Sequence, residues 1–191
     1  MLKSLVEKNR SYRGFDKDVA ISTETLKSLL ENARLVPSGR NKQAIRYILS
    51  NKKELNDKIF AETNWAMALK KKVPFKGEEP TAYIVMCIDS QVCSNKNTAD
   101  VDVGIAAQTI LLSATEIGLG GCMIGAFNSE SLEKSIDIPK RYMSRLIIAL
   151  GKPIEKIVLT DVVDGETGYF RDENNVHYVP KRLLNDTIIS V

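Results

Sequence analysis

Histidine is nearly absent from this chain, in which His177 is the one such residue among 191. The three cysteines, Cys87, Cys93 and Cys122, form no CxxC pair and leave an odd count. A zinc site of mixed Cys and His ligands therefore has no ligand set, and a Ser-His-Asp triad would have to use that one ring. An odd cysteine count also argues against a disulfide framework and suits a reducing cytosol. We expect no metal site and a cytoplasmic protein.

A strong net charge and long apolar runs are also missing. The chain has 27 basic and 24 acidic residues, for a net charge of +3 at pH 7. This near balance does not supply the field that non-specific nucleic-acid binding needs. No apolar run approaches the roughly 20 residues of a membrane span, and no charged start leads into an apolar signal segment. We expect neither nucleic acid nor a membrane as a partner.

The composition that remains is that of an ordinary globular protein. Hydrophobic residues make up 43% of the chain and charged residues 27%. These fractions are typical of a soluble fold, and the length fits one domain. No repeat, low-complexity tract or linker-like stretch divides the sequence. We therefore predict a single domain over residues 1–191.

Hydrophobic periodicity predicts a mixture of helices and strands. Helices are predicted at residues 2–8, from Ser22 or Thr23 as N-cap to before Pro37, at 52–60, at 100–120 and after Asn128 or Ser129. Apolar runs predict strands at 44–50, 81–89, 120–127 and 144–153, and a turn at 172–175 between two short strands. Because helices flank the strands without alternating strictly with them, the predicted fold class is α+β, with a sheet packed between helices.

The helix predicted at 100–120 is apolar around nearly its whole circumference. Val103, Ile110 and Ala114 are joined on other sides by Ile105 and Leu112. A helix with hardly any polar face is typically surrounded by protein. In a chain of this size, we expect part of that protein to be a second subunit.

The glycine-rich stretch GLGGCMIG, at residues 118–125, does not fit a dinucleotide-binding turn. Such a turn follows a strand and opens a helix, so that the helix N-terminus faces the pyrophosphate. Here the glycines follow a predicted helix and enter a predicted strand. A Rossmann fold is therefore rejected.

Residues suited to ligand chemistry concentrate in four segments. These are Arg10-Ser11-x-Arg13, Pro37-Ser38-Gly39-x-Asn41-x-Gln43, residues 118–126, and Lys181-Arg182. Arginine presents a planar fork of donors suited to a phosphate or a polarised carbonyl, and serine adds a hydroxyl donor. Gly125 lets a backbone approach a flat ligand closely because it has no side chain. Together these residues favour an anionic, planar cofactor.

The same segments, in this order, resemble the FMN-dependent nitroreductase family. The resemblance is carried by RSYRGF, PSGRNKQ, DVGIAAQTILLSATEIGLGGCMIGAF and IALGKP. It implies an intertwined α+β homodimer, with a central, mostly antiparallel sheet between helices and FMN at the subunit interface. NADH or NADPH would reduce the flavin, and a small-molecule acceptor would reoxidise it in a ping-pong cycle.

The resemblance also implies roles for the charged segments. Arg10 and Ser11 would hold the phosphate and ribityl end of FMN, and Lys181 and Arg182 would complete the grip on the phosphate. Arg13 would reach the pyrimidine edge of the isoalloxazine, where a guanidinium stabilises the negative charge of reduced flavin. Arg13 would thus tune the flavin, and no side chain would act as acid or base.

The two remaining segments complete the implied site. The partner subunit would close over the flavin with a loop that includes Pro37, Ser38, Gly39 and Asn41. Ile124 and Gly125 match the strand end whose backbone N–H meets flavin N5, the atom that accepts and gives the hydride. The chain departs from the family at Asn9, where a second basic residue is common, and at residues 44–45, where Pro-Trp is usual.

The function implied is NAD(P)H-dependent reduction of a nitroaromatic, quinone or similar acceptor through bound FMN. Two alternatives stay open, a flavin-binding sensor or storage protein with little turnover, and an enzyme of cofactor metabolism on the same scaffold. The middle loop at 62–80, with Trp65 and Phe75, is interpreted as a loop near the substrate side. His177 is interpreted as a surface residue of the C-terminal hairpin.

Overall fold

The computed structural model describes residues 2–66, 69, 72–93 and 96–189, without the side chains of residues 96–98. Its α-helices in that part of the chain are α1 Leu2–Lys8, α2 Thr23–Ala33, α3 Lys53–Ala61, α4 Lys96–Glu116 and α5 Ser129–Ser135. Its strands are β1 Phe15–Asp16, β2 Ile45–Ser50, β3 Ala82–Asp89, β4 Gly120–Ile124, β5 Tyr142–Pro153, β6 Ile157–Asp161, β7 Phe170–Arg171 and β8 His177–Lys181. Parts of the predicted middle loop, at 67–68 and 70–71, lie outside the described residues. The α+β fold class is confirmed.

The central sheet is built on β5. This strand pairs with β1, β3 and β4, and β2 extends the sheet beyond β3. All four pairings are antiparallel, as predicted. β5 spans 12 residues, and β4 pairs with its residues 147–151 and β1 with its residues 152–153.

Both faces of this sheet are covered by helices. Every residue of β3 is buried, because alternate side chains enter two separate cores. Ile84 and Met86 pack in one core with Leu26 of α2 and Ile110 of α4. Tyr83, Val85 and Cys87 pack in the other core with Ile59 of α3 and Leu132 of α5. The sheet therefore lies between α2 and α4 on one face and α3 and α5 on the other.

The helix starts follow the predicted capping chemistry. The Ser22 hydroxyl accepts a hydrogen bond from the Thr25 backbone N–H at 3.0 Å, and the Asn128 side chain accepts one from the Ser131 backbone N–H at 3.0 Å. Each bond satisfies an amide that the first helical turn leaves without a backbone partner. The predicted starts of α2 and α5 are therefore confirmed.

A second sheet, of three strands, follows the central one. β8 lies in the middle, parallel to β6 and antiparallel to β7. The hairpin between β7 and β8 was predicted, but its pairing with β6 was not. His177, the first residue of β8, is only 2% exposed because β6 and β7 flank it on both sides. The prediction of a surface histidine is wrong.

Helix α4 is buried on one side and open on the other. Val103, Ala106 and Ile110 are buried against the central sheet, whereas the Val101 and Ile105 side chains are 66% and 37% exposed. One chain therefore leaves part of this apolar helix uncovered, and the expectation that a second subunit covers it stays a prediction. We call the exposed surface of Val101, Gly104, Ile105 and Gln108 the open face of α4.

Candidate functional site

Two adjoining cavities contain most of the predicted site residues. The larger, here called the basic cavity, has a volume of about 340 Å³ and a polar lining of Asn9, Arg10, Ser11, Gln108, His177 and Lys181. The smaller, the strand-end cavity, has a volume of about 200 Å³ and is lined by Asn64, Trp65, Ile124, Gly125 and Ala126. Arg13, Met123 and Tyr169 line both. The two cavities therefore meet at Arg13.

The segment after α1 reaches the cavities because it lies directly on β4. Ser11 forms a parallel bridge with Gly121, and the Tyr12 backbone N–H donates to the Gly121 carbonyl at 3.0 Å. A Cβ at Gly121 would lie 2.3 Å from the Ala149 carbonyl oxygen, and one at Gly120 would lie 2.6 Å from the Tyr12 ring. Glycine at 120 permits the close contact with Tyr12 that places Arg10 to Arg13 beside the start of β4, and glycine at 121 permits the close packing of β4 on β5.

Arg13 is held at three points. Its backbone N–H donates to the Glu155 carboxylate, and its guanidinium donates to the Ser11 carbonyl at 3.3 Å. The guanidinium carbon lies 5.2 Å from the centroid of the Tyr169 ring, a cation–π contact. Because this contact uses the face of the guanidinium, N–H donors on its edge are left for a ligand.

Glu155 links Arg13 to the second sheet. Its carboxylate also pairs with Arg171, and the two side chains are 6% and 8% exposed. The guanidinium of Arg171 lies over the Phe75 ring, with its central carbon 5.8 Å from the ring centroid. An ion pair this deeply buried keeps its geometry only while both charges are present. It fixes β7 against the loop that holds Arg13.

The basic cavity contains buried nitrogen atoms without a protein partner. Arg10 donates from one terminal nitrogen to the Val6 carbonyl at 2.6 Å, but its Nε has no hydrogen-bond partner among the described residues. His177 Nδ1 is also buried and has no hydrogen-bond partner among the described residues. Since buried polar groups are nearly always hydrogen-bonded, these atoms point to a ligand with oxygen acceptors.

The electrostatics of this cavity favour an anion. Burial, together with the positive charges of Arg13 and Arg171, lowers the pKa of His177 to about 4. The imidazole is therefore uncharged at neutral pH. The guanidinium groups of Arg10 and Arg13 and the ammonium of Lys181 supply the positive charge of the lining.

The loop at 37–43 lies apart from these cavities in the single chain. Pro37 and Ser38 line a different, smaller cavity with Asp102 of α4. The Gly39 backbone N–H donates to Asp102 Oδ1 at 2.9 Å, which fastens the loop to that helix. Asn41 is exposed, with a positive φ of 54°. One chain therefore does not bring Pro37, Ser38, Gly39 and Asn41 to the basic cavity.

The structure places the other sequence-predicted residues as follows. Arg10, Ser11, Arg13 and Lys181 share the basic cavity, and Ile124 and Gly125 line the strand-end cavity. Arg182 is exposed and lines neither. Trp65 of the middle loop lines the strand-end cavity and donates from Nε1 to the Thr63 hydroxyl at 2.8 Å. Sequence reasoning missed Tyr169, Glu155 and the cavity position of His177, which depend on pairing between distant segments.

The described residues contain neither a membrane-spanning helix nor a metal-binding cluster. No helix there combines the length and apolar character of a membrane-spanning segment. No group of three or more His, Cys, Asp and Glu side chains in the same part of the chain is placed to hold a metal ion.

Fold and site together define an α+β protein with a basic cavity, lined by Arg10, Arg13 and Lys181, beside a sheet strand. The family model described as the nitroreductase family matches residues 6–152. The chain therefore belongs to the nitroreductase family.

Individual relatives agree with this assignment. The chain is 28% identical over 173 residues to a Bacillus subtilis protein named "Putative NAD(P)H nitroreductase YodC", covering 76% of this chain and 86% of that protein. A structure titled as an FMN-dependent nitroreductase from Clostridium difficile R20291 is 26% identical, with a TM-score of 0.64 and coverage of 82% and 89%. A nitroreductase family structure from Streptococcus pneumoniae TIGR4 covers both chains completely, with a TM-score of 0.72 at 15% identity. That last likeness extends the shared fold to the second sheet.

Proposed function

We propose that this chain is an NAD(P)H-dependent oxidoreductase that uses FMN and forms a homodimer. The observation that carries the proposal is the joint position of Arg10, Ser11, Arg13 and Lys181 around one cavity that adjoins Gly125. The orphaned Nε of Arg10 supports it, because a phosphate oxygen would satisfy that buried donor. The FMN-dependent relative supports the choice of flavin.

The residues divide the cofactor between the two cavities. Arg10, Ser11 and Lys181 hold the phosphate and ribityl end, and Arg182 adds charge at its outer side. Arg13 presents its guanidinium edge to the pyrimidine of the isoalloxazine, which lies toward Ile124 and Gly125. Bound FMN supplies the hydride chemistry, taking a hydride from NADH or NADPH and passing it to a nitroaromatic, quinone or similar acceptor. The side chains orient the cofactor and stabilise its charge.

The homodimer is part of the proposal because one chain leaves the site incomplete. The open face of α4 exposes Val101 and Ile105, and a Cβ added at Gly104 would meet no atom within 4 Å, so a second backbone can come close. Gln108 belongs to this face and lines the basic cavity. A partner packed there would reach the cavity with its own loop at 37–43. The cytoplasm, which suits the odd cysteine count, is the proposed location.

Colour and bleaching of the purified protein test the proposal. A yellow protein that bleaches when NADH or NADPH is added without oxygen, and recovers its colour with an acceptor, supports the oxidoreductase. A yellow protein that never bleaches favours the flavin-binding sensor or storage protein instead. Bleaching without turnover of any nitroaromatic or quinone favours a role in cofactor metabolism. A protein that cannot take up FMN contradicts the proposal and all of these alternatives.

Ile105→Arg is expected to convert the dimer to monomers and to weaken FMN binding at least tenfold. The substitution places a charge in the apolar centre of the open face of α4, where a desolvated, unpaired cation is costly. Analytical ultracentrifugation gives the oligomeric state, and fluorescence titration gives the FMN affinity. Glu24→Arg, an exposed change on α2, is the control and should leave both unchanged. A dimeric Ile105→Arg protein with normal FMN affinity would contradict the interface.

Gly125→Ala is expected to weaken FMN binding about tenfold without loss of stability. The added methyl meets no protein atom within 4 Å but projects where the flavin must approach the backbone. Gly121→Ala should instead lower stability, because its Cβ would lie 2.3 Å from the Ala149 carbonyl oxygen. We expect it to reduce the free energy of unfolding by about 1–3 kcal/mol. Urea denaturation and FMN titration separate the two effects. Normal FMN affinity in Gly125→Ala would exclude close backbone contact there.

A further inference from the structure

We propose that His177 hydrogen-bonds the phosphate of the bound cofactor through Nδ1 and so makes the chain prefer FMN to riboflavin. The inference rests on the proposed function, because it concerns how the same cavity selects its flavin. His177 is distinct from the arginine, serine and lysine residues that the sequence placed at the phosphate. It enters the cavity from the second sheet.

The backbone of His177 is fixed on both sides. It lies opposite Ile157 of β6 and Arg171 of β7, and its N–H donates to the Lys156 carbonyl at 2.9 Å. The Tyr169 ring lies 5.3 Å from the imidazole, centroid to centroid. These contacts leave the ring little freedom to turn toward solvent. Its direction is therefore set by the fold before a ligand arrives.

The Nδ1 atom lacks a partner in this fixed position. The residue is 2% exposed, and within the described part of the chain no protein group bonds to Nδ1. A buried nitrogen left without a hydrogen-bond partner destabilises the folded protein. Because the imidazole lines the basic cavity, an atom of the ligand held there is the partner that removes this cost.

The surroundings indicate which part of the ligand that atom belongs to. His177 shares the basic cavity with Arg10, Ser11 and Lys181 but does not line the strand-end cavity. The groups around it carry donors suited to an anion. A neutral imidazole can place its proton on Nδ1 and donate to an anionic oxygen. The phosphate is the part of FMN that offers such oxygens, and riboflavin lacks it.

Charges near His177 also make the contact detectable. Arg13 and Arg171 lower the pKa of the free imidazole, while Glu155 is already engaged by Arg171 and by the Arg13 backbone. A phosphate dianion beside Nδ1 would oppose the two guanidinium groups and raise the pKa of the imidazole. Since His177 is the single histidine of the chain, its imidazole signal in an NMR spectrum needs no assignment.

Affinity measurements with two flavins form the first test. His177→Phe should weaken FMN binding about tenfold, the value of one net hydrogen bond, while riboflavin affinity changes less than twofold. Tyr178→Phe is the matched control on the same strand, because Tyr178 stacks on Phe170 and does not line the cavity, and it should leave both affinities unchanged. Equal losses for FMN and riboflavin, or no loss for either, would overturn the proposal.

NMR of the whole protein with isotope-labelled histidine forms the second test, and it does not depend on folding of a variant. FMN should shift the Nδ1 signal and raise the pKa of His177, whereas riboflavin should not raise that pKa. An unchanged pKa with FMN bound would overturn the phosphate contact. If the protein binds no FMN, the proposed function fails, and titration with inorganic phosphate alone then decides the role of His177. A phosphate-induced shift of Nδ1 supports the contact, and an unmoved signal overturns it.

Discussion

Arg13→Ala is expected to slow reduction of bound flavin by NADH or NADPH about 100-fold, a loss typical for removal of one preorganised charge-stabilising donor. Tyr169 covers the face of the Arg13 guanidinium and Glu155 holds its backbone, so its free edge has a fixed position. In the proposed complex, this edge meets the part of the flavin that gathers negative charge on reduction. Water that replaces the guanidinium would have to reorient at each turnover. Anaerobic stopped-flow measurement of flavin bleaching at saturating FMN gives the rate.

Two controls separate this effect from cofactor loss. Arg13→Lys keeps a charge without the planar fork and should fall between wild type and Arg13→Ala. Arg10→Ala should mainly loosen FMN, with a near-normal reduction rate once FMN is saturating, because its proposed role is to hold the phosphate. If Arg10→Ala slows reduction as much as Arg13→Ala under those conditions, the separate roles of the two arginines are wrong.

Glu155→Met is expected to lower the free energy of unfolding by about 3–5 kcal/mol. It leaves the Arg171 guanidinium, 8% exposed, without its counter-charge and removes the acceptor of the Arg13 backbone N–H. A buried charge without a partner pays its desolvation cost in full. Urea denaturation of the wild type and the variant measures the difference.

The double variant Glu155→Met with Arg171→Met tests the mechanism of that loss. Removing both charges should recover much of the stability, because apolar side chains of similar volume can replace a buried ion pair at little cost. Asp57→Ala breaks the Lys53–Asp57 pair, whose side chains are 86% and 61% exposed, and should change stability far less. A Glu155→Met protein as stable as Asp57→Ala would show that the pair contributes little.

The central sheet and its helices were predictable because their signals are local. The β3 run is apolar throughout since both its faces are covered, and Ser22 and Asn128 cap helices within a few residues of themselves. In the second sheet, the β7–β8 hairpin gave a local turn signal, but the pairing of β6 with β8 gave none. β6 and β8 are short and half-exposed, and they pair in parallel although β7 lies between them in the sequence. Neither composition nor spacing therefore indicated that they meet.

The part of the candidate site that lies in short sequence segments was also predictable. Arg10, Ser11 and Arg13 belong to one short segment, and Lys181 reaches the same cavity. Tyr169 and His177 could not be found by sequence reasoning because an isolated tyrosine or histidine in a hairpin carries no motif. Their position depends on the parallel pairing of β6 with β8, which turns the hairpin toward Arg13.

Helix α4 contributes residues both to the candidate cofactor site and to the proposed subunit interface. It lines the basic cavity through Gln108 and Leu111, fastens the loop at 37–43 through Asp102, and carries the open face. In the proposed dimer, subunit association and cofactor binding therefore share one helix, and thermodynamic linkage requires each to strengthen the other by the same factor. The apparent affinity for FMN should then rise with protein concentration, and dilution should release flavin and subunits together.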